Sequence, residues 1–166
     1  MTTPSLVIGL GSPDGGDDAV GLLTARRVAG LRLPGVTVVE HEDPTGLIDL
    51  WSGTGFAVVV DAVMSGASPG TVLVMEAGAD GEPLAETSWA RTGRGGTHAF
   101  GLAAAVELAR ALRRLPGRLV LVGVEVETVE HGSALSAPVQ AALDAVVAAV
   151  VALVAGSEAV VADVSR

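Results

Sequence analysis

Three short stretches of this 166-residue chain hold side chains that could do chemistry. The first is Gly9-Leu10-Gly11-Ser12-Pro13-Asp14-Gly15-Gly16-Asp17-Asp18, a glycine-rich loop that ends in adjacent carboxylates. In the second, the apolar run Val58-Val59-Val60 stops abruptly at Asp61. In the third, Thr97-His98 stands just ahead of the apolar periodic run Ala99–Leu112. Carboxylate oxygens and an imidazole nitrogen, with coordination positions left open, suit a divalent first-row ion. Such an ion polarises a carbonyl or lowers the pKa of a bound water. Asp18, Asp61 and His98 are therefore the candidate metal ligands. Asp18 and Asp61 are the candidate catalytic groups, acting through the metal or as general base, and their spacing does not choose between them.

Each stretch also has an ordinary reading. Asp17 and Asp18 can cap the helix that follows them and oppose its dipole. A carboxylate at the mouth of a buried strand needs a partner, because leaving it desolvated and unpaired is costly. For Asp61 a backbone amide or Ser65 would serve as well as a metal. His98 sits at a helix N-terminus if Thr97 is the cap, where the helix dipole favours the neutral, metal-competent imidazole. What separates these readings is whether the three stretches converge.

Convergence depends on the elements that carry them. Leu6–Gly9, Val36–Glu40, Ala57–Ala62, Val72–Glu76 and Leu119–Val126 read as strands, and Ala19–Leu31, Gly46–Trp51, Ala99–Leu112 and Pro138–Val154 as helices. Continuous apolar strands alternating with helices predict an α/β fold, an open, mostly parallel twisted sheet of about five strands with helices on both faces. The link from Ala57–Ala62 to Val72–Glu76 is too short for a helical crossover, so Val72–Glu76 is expected to be antiparallel and at an edge. In open α/β sheets ligands bind beyond the carboxyl ends of the strands. All three chemical stretches fall there. Ser136 and Pro138 mark the start of the last helix. The segment Ala77–Thr97 has the length of a functional loop. Residues 1–166 read as one domain, with the tail 156–166 unassigned.

Composition narrows the partners. A formal net charge of -9 opposes phosphate binding, so no nucleic-acid partner is expected. Arg110, Arg113 and Arg114 read as the solvated face of a helix. The absence of cysteine removes thiolate metal sites and cysteine nucleophiles. Met1 to Ser5 has no basic n-region and Leu6–Leu10 is too short for a signal core. The charge-free apolar run Ala145–Ala155 is shorter than a membrane span. A cytoplasmic protein without a membrane span is expected.

Other constellations are weaker. The Gly9 loop suggests a dinucleotide fingerprint, but Asp14 replaces its third glycine, and Asp17 and Asp18 would repel a phosphate. No H-E-x-x-H, G-x-S-x-G or Walker lysine is present. Glu40-His41-Glu42-Asp43 follows a strand and reads as a solvated loop or the lining of a groove, and His131 beside Gly132 as a structural or exposed turn residue. Glu125, Glu127 and Glu130 are candidates for partner contact or for a solvated loop.

The residues that raise the metal question also carry a family pattern. Val7-Ile8-Gly9-Leu10-Gly11-Ser12 through Gly16-Asp17-Asp18-Ala19-Val20-Gly21 is similar to the opening signature of the hydrogenase maturation endopeptidases. Val60-Asp61-Ala62 and Thr97-His98-x-x-Gly101-Leu102 resemble its next two motifs, and Leu121-Val122-Gly123-Val124-Glu125 and Leu135-Ser136-x-Pro138 its later ones. Ser12 stands where the family usually has Asn, and Asp43-Pro44 where a Gly-Thr pair often precedes Gly46. The resemblance implies an endopeptidase that trims the C-terminal extension of the [NiFe]-hydrogenase large-subunit precursor after nickel insertion. It implies Asp18, Asp61 and His98 as the metal-binding residues. The nickel would be supplied by the substrate protein, with other divalent ions able to replace it in vitro. A reading from another class is a non-catalytic metal-sensing or chaperone module for a metalloenzyme precursor.

Overall fold

The computed structural model describes residues 4–78, 101–127 and 129–164, with side chains as far as residue 156. Its sheet has five strands: β1 (Ser5–Leu10), β2 (Val36–His41), β3 (Phe56–Val63), β4 (Val72–Glu76) and β5 (Arg118–Glu125). Their order is β2-β1-β3-β5-β4. The first three strands and β5 are parallel, and β4 closes one edge antiparallel to β5, as its short connection required.

Helices cover both faces. On one side α1 (Val20–Gly30) and α4 (Ala137–Val164) bury Val20, Val28, Val139, Val146 and Val150 against Val7, Val58, Val60 and Val122. On the other, α2 (Leu47–Trp51) and α3 (Leu102–Ala111) bury Leu47, Trp51, Leu102 and Val106 against Ile8, Val59 and Leu121. Val58, Val59 and Val60 are fully buried, which is why β3 reads as an unbroken apolar run. Each such side chain contributes about 1.5–3 kcal/mol relative to exposure.

The chain leaves β1 for β2 on one side and returns to β3 on the other side of β1. The connections therefore diverge between β1 and β3, and a crevice opens beyond their carboxyl ends. Asp18 follows β1 and Asp61 lies near the end of β3.

Three expectations are corrected. A 3-10 turn, Gly16–Ala19, precedes α1, and neither that turn nor α1 has a side-chain cap. Asp17 and Asp18 are thus not caps of this helix. The third helix begins at Leu102, with Gly101 in extended conformation (φ -81, ψ 179) as its N-cap, rather than at Ala99 behind a Thr97 cap. The last helix does not stop near Val154: it runs through Gly156 to Val164. By length and composition, Ala137–Gly156 is apolar enough to cross a membrane. In this fold its stripe of Val139, Leu143, Val146, Val150 and Val154 lies in the core instead.

Candidate active site

Asp18 and Asp61 come together at the switch point. The strands place Asp61 through alternation: its neighbours Val59 and Val63 both enter the core on the α2–α3 side, and Asp61 is the one partly accessible residue of β3. Burial is the main cause that pushes the Asp61 carboxyl well above the usual carboxylate range, and the charge of Asp18 adds to it. An Ala62 backbone hydrogen bond acts in the opposite direction. Of the partners foreseen for Asp61, the backbone amide is thus the one found. Ser65 is engaged elsewhere.

The β1 loop is shaped around Asp18. Gly11 has φ +155, and a Cβ there would collide with the Asp18 carbonyl oxygen. Only glycine lets the strand end approach the turn this closely. Ser12 N donates to Asp18 Oδ2 at 3.0 Å. This amide is one that a phosphate would need, so the loop that resembled a nucleotide cradle is folded onto its own carboxylate.

Asp17, one residue earlier, points elsewhere, since successive side chains in a 3-10 turn diverge by roughly 120°. It is 2% exposed. Its Oδ1 accepts from Ser136 N at 2.6 Å, and its Oδ2 accepts from Ser136 Oγ at 2.8 Å and Glu127 N at 3.3 Å.

Glu125 holds the opposite rim. It is 2% exposed and accepts from Ser65 N at 2.8 Å, Ser65 Oγ at 2.6 Å and Gly66 N at 3.0 Å, fixing the chain that leaves β3 after Asp61. The expectation of a solvated or partner-binding Glu125 is therefore corrected; Glu127 and Glu130 are exposed. The signal was present in the sequence, because Glu125 ends a buried apolar run just as Asp61 does.

The stretch Glu40 to Asp43 is solvated at Glu40, Glu42 and Asp43, which are exposed, whereas Glu40 and His41 still belong to β2 and His41 is partly buried. Glu40 pairs with Arg26, Asp43 caps the turn at Pro44–Gly46 by accepting from Thr45 N at 2.9 Å, and His41 ends β2 in register with Leu10. The His41 imidazole packs on Gly46, where a Cβ would strike Nε2. That nitrogen is buried and has no hydrogen-bond partner among the described residues. His131 is exposed in a turn, the second of its two expected settings. Arg110 is not a solvated residue: it is partly buried, and its guanidinium donates to the carbonyls of Gly78 at 2.7 Å and Ala77 at 3.4 Å. Arg113 and Arg114 are exposed.

His98, the third expected ligand, lies outside the described residues, as does most of Ala77–Thr97. Among the described residues no three His, Asp or Glu side chains are grouped to hold a metal ion. Asp18 and Asp61 are a pair of carboxylates in mutual repulsion, and a cation placed between them would relieve it.

An open, mostly parallel sheet with paired carboxylates at its switch point defines an α/β protein with a site at the carboxyl edge. The model of the hydrogenase maturation protease family matches residues 43–153, and the chain belongs to that family. It is accordingly a hydrolase of the peptidase type. The fold is similar to the hydrogenase maturating endopeptidase HybD from E. coli, with 24% identity, 93% of each chain covered and a TM-score of 0.72. It is also similar to the [NiFe] hydrogenase maturation protease HybD from Thermococcus kodakarensis, with 20% identity, 91% of this chain and 99% of that one covered and a TM-score of 0.64. A third similar structure is the hydrogenase 2 maturation peptidase from Thaumarchaeota archaeon SCGC_AB-539-E09, with 23% identity, coverage of 90% and 97% and a TM-score of 0.62. No curated protein matches the chain significantly by sequence.

Proposed function

We propose that this peptidase removes the C-terminal extension of a [NiFe]-hydrogenase large-subunit precursor once nickel has been inserted, reading the precursor's metal through Asp18, Asp61 and His98. The observation that carries the reading is the effect of Asp18 on Asp61. A carboxyl whose proton affinity is raised by burial and by the charge of a neighbouring carboxylate is a good receiver for a dication presented by a partner. Nickel is then part of the substrate. It would polarise the scissile carbonyl or a water, and either aspartate would take the proton. Such a peptidase works where the precursor is assembled, which puts it in the cytoplasm.

The test is incubation with nickel-loaded and nickel-free precursor, followed by intact mass. Loss of the extension from the loaded form alone is expected. Equal cleavage of both forms would remove metal gating from the proposal, and full activity in both Asp18→Ala and His98→Ala would remove the assigned residues.

A further inference from the structure

We infer that Asp17 is a positioning residue, which fixes the turn carrying Asp18 against Asp61 by locking it to the start of α4. The inference rests on the peptidase reading above and extends it to a side chain that faces away from the carboxylate pair.

The Asp18 carboxylate accepts from Ser12 N of its own loop at 3.0 Å, so its position follows that of the turn. A turn free to relax would move Asp18 outward. Asp17 opposes this from a rigid base. Ser136, which supplies two of the three donors to Asp17, also accepts from Gln140 N at 2.9 Å, so it is built into the first turn of α4. That helix is anchored by Val139 and Val146, both fully buried. The adjacent loop is drawn in at two further points. Gly132 N donates to Asp14 O at 2.8 Å, and Gly16, at φ +59, approaches so closely that a Cβ would lie 2.9 Å from Glu130 O. The acceptors of Asp17 are filled by N–H and O–H donors more than 100 residues away in sequence (|i−j| of 110 and 119). A charge held at 2% exposure by such donors is strongly oriented.

Asp17→Asn keeps the shape but turns an amide towards Glu127 N. Ser136→Ala removes one donor, and Ser136→Thr restores the hydroxyl. Each variant is assayed on nickel-loaded precursor for kcat and KM separately, and amide hydrogen exchange is followed over residues 12–19. Asp17→Asn is expected to lower kcat about tenfold or more with KM within about twofold, since small displacements of reacting groups are costly in rate. Ser136→Ala should fall between it and the parent, with Ser136→Thr recovering. Exchange should quicken at Gly15–Asp18 and stay unchanged in β1 and β3. A kcat within about twofold of the parent, or unchanged exchange at the turn, overturns the inference. So does a kcat loss that only tracks the loss of folded protein. Failure of the parent enzyme to cut the precursor counts against the peptidase reading alone, and the exchange comparison still decides whether Asp17 holds the turn.

Discussion

The charge of Asp18 and the carboxyl of Asp61 oppose each other beyond the carboxyl ends of the paired strands β1 and β3, and the sheet holds them there against that repulsion. Asp61 thus binds its proton more tightly in the folded chain than in the unfolded one. A group of this kind makes the folded state the better proton binder. Stability then falls as pH rises from the unfolded carboxyl value, about 3.9, through the higher folded value.

Asp61→Asn removes the cost of ionising that group. In chelated buffer at neutral pH the variant should melt ~2–4 °C above the parent, the effect of about 1 kcal/mol in a chain of this size. The gap should close as pH falls to about 3, below the unfolded carboxyl value, where Asp61 is protonated in both states. Thermal melts across that range check it, and a variant less stable than its parent at neutral pH would show that Asp61 is satisfied rather than strained.

Glu125 makes a contrasting case, because its carboxylate is fully served by Ser65 and Gly66. Glu125→Ala strands these donors and should cost on the order of 3 kcal/mol. Glu125→Gln can still accept both backbone amides on one oxygen and donate to Ser65 Oγ, so its loss should be nearer ~1 kcal/mol. Urea titration of the two variants measures the difference. Equal losses would mean that the negative charge, not the hydrogen-bond pattern, holds the loop.

Much of this was legible in the sequence for identifiable reasons. Val58-Val59-Val60 announces a strand buried on both faces, and the short link after it forces β4 to run antiparallel. Asp61 stood out because a carboxylate ends that run. Glu125 gave the same signal at the end of β5, but its neighbours Glu127 and Glu130 made it resemble an acidic loop. The division of labour between Asp17 and Asp18 was not legible. It depends on a 3-10 turn that aims one inward and the other at Asp61, and on a partner 119 residues away. The extent of the last helix was hidden by Gly156, which reads as a stop although the helix continues through it.

Gly11 tests the fit between the strand end and the turn. Gly11→Ala places a methyl against the Asp18 carbonyl at a φ of +155, so it should destabilise by about 1–3 kcal/mol. Cleavage should fall further than stability does, because the displaced atom belongs to Asp18 itself. Comparing urea midpoints with initial rates at a temperature where the variant is folded checks both. A variant with parental rate would show that the turn can shift without disturbing the carboxylate.

Helix α4 poses a sharper question, since 20 of its residues pass for a membrane span while one stripe lies in the sheet core. The two settings differ in what they demand of its other face. Against the sheet, Val146 is fully buried and Ala148 is exposed. A carboxylate at Val146 would be desolvated without a partner and should abolish folding, whereas Ala148→Asp should change stability by about 0.5 kcal/mol or less. In a bilayer both substitutions would fall near the middle of the span and each would cost roughly 2.5–3.5 kcal/mol. Expression of the two variants without detergent, followed by urea titration, separates the cases. Parental stability in Ala148→Asp together with collapse in Val146→Asp is expected, because the stripe of Val139, Val146 and Val150 uses one side of the helix only.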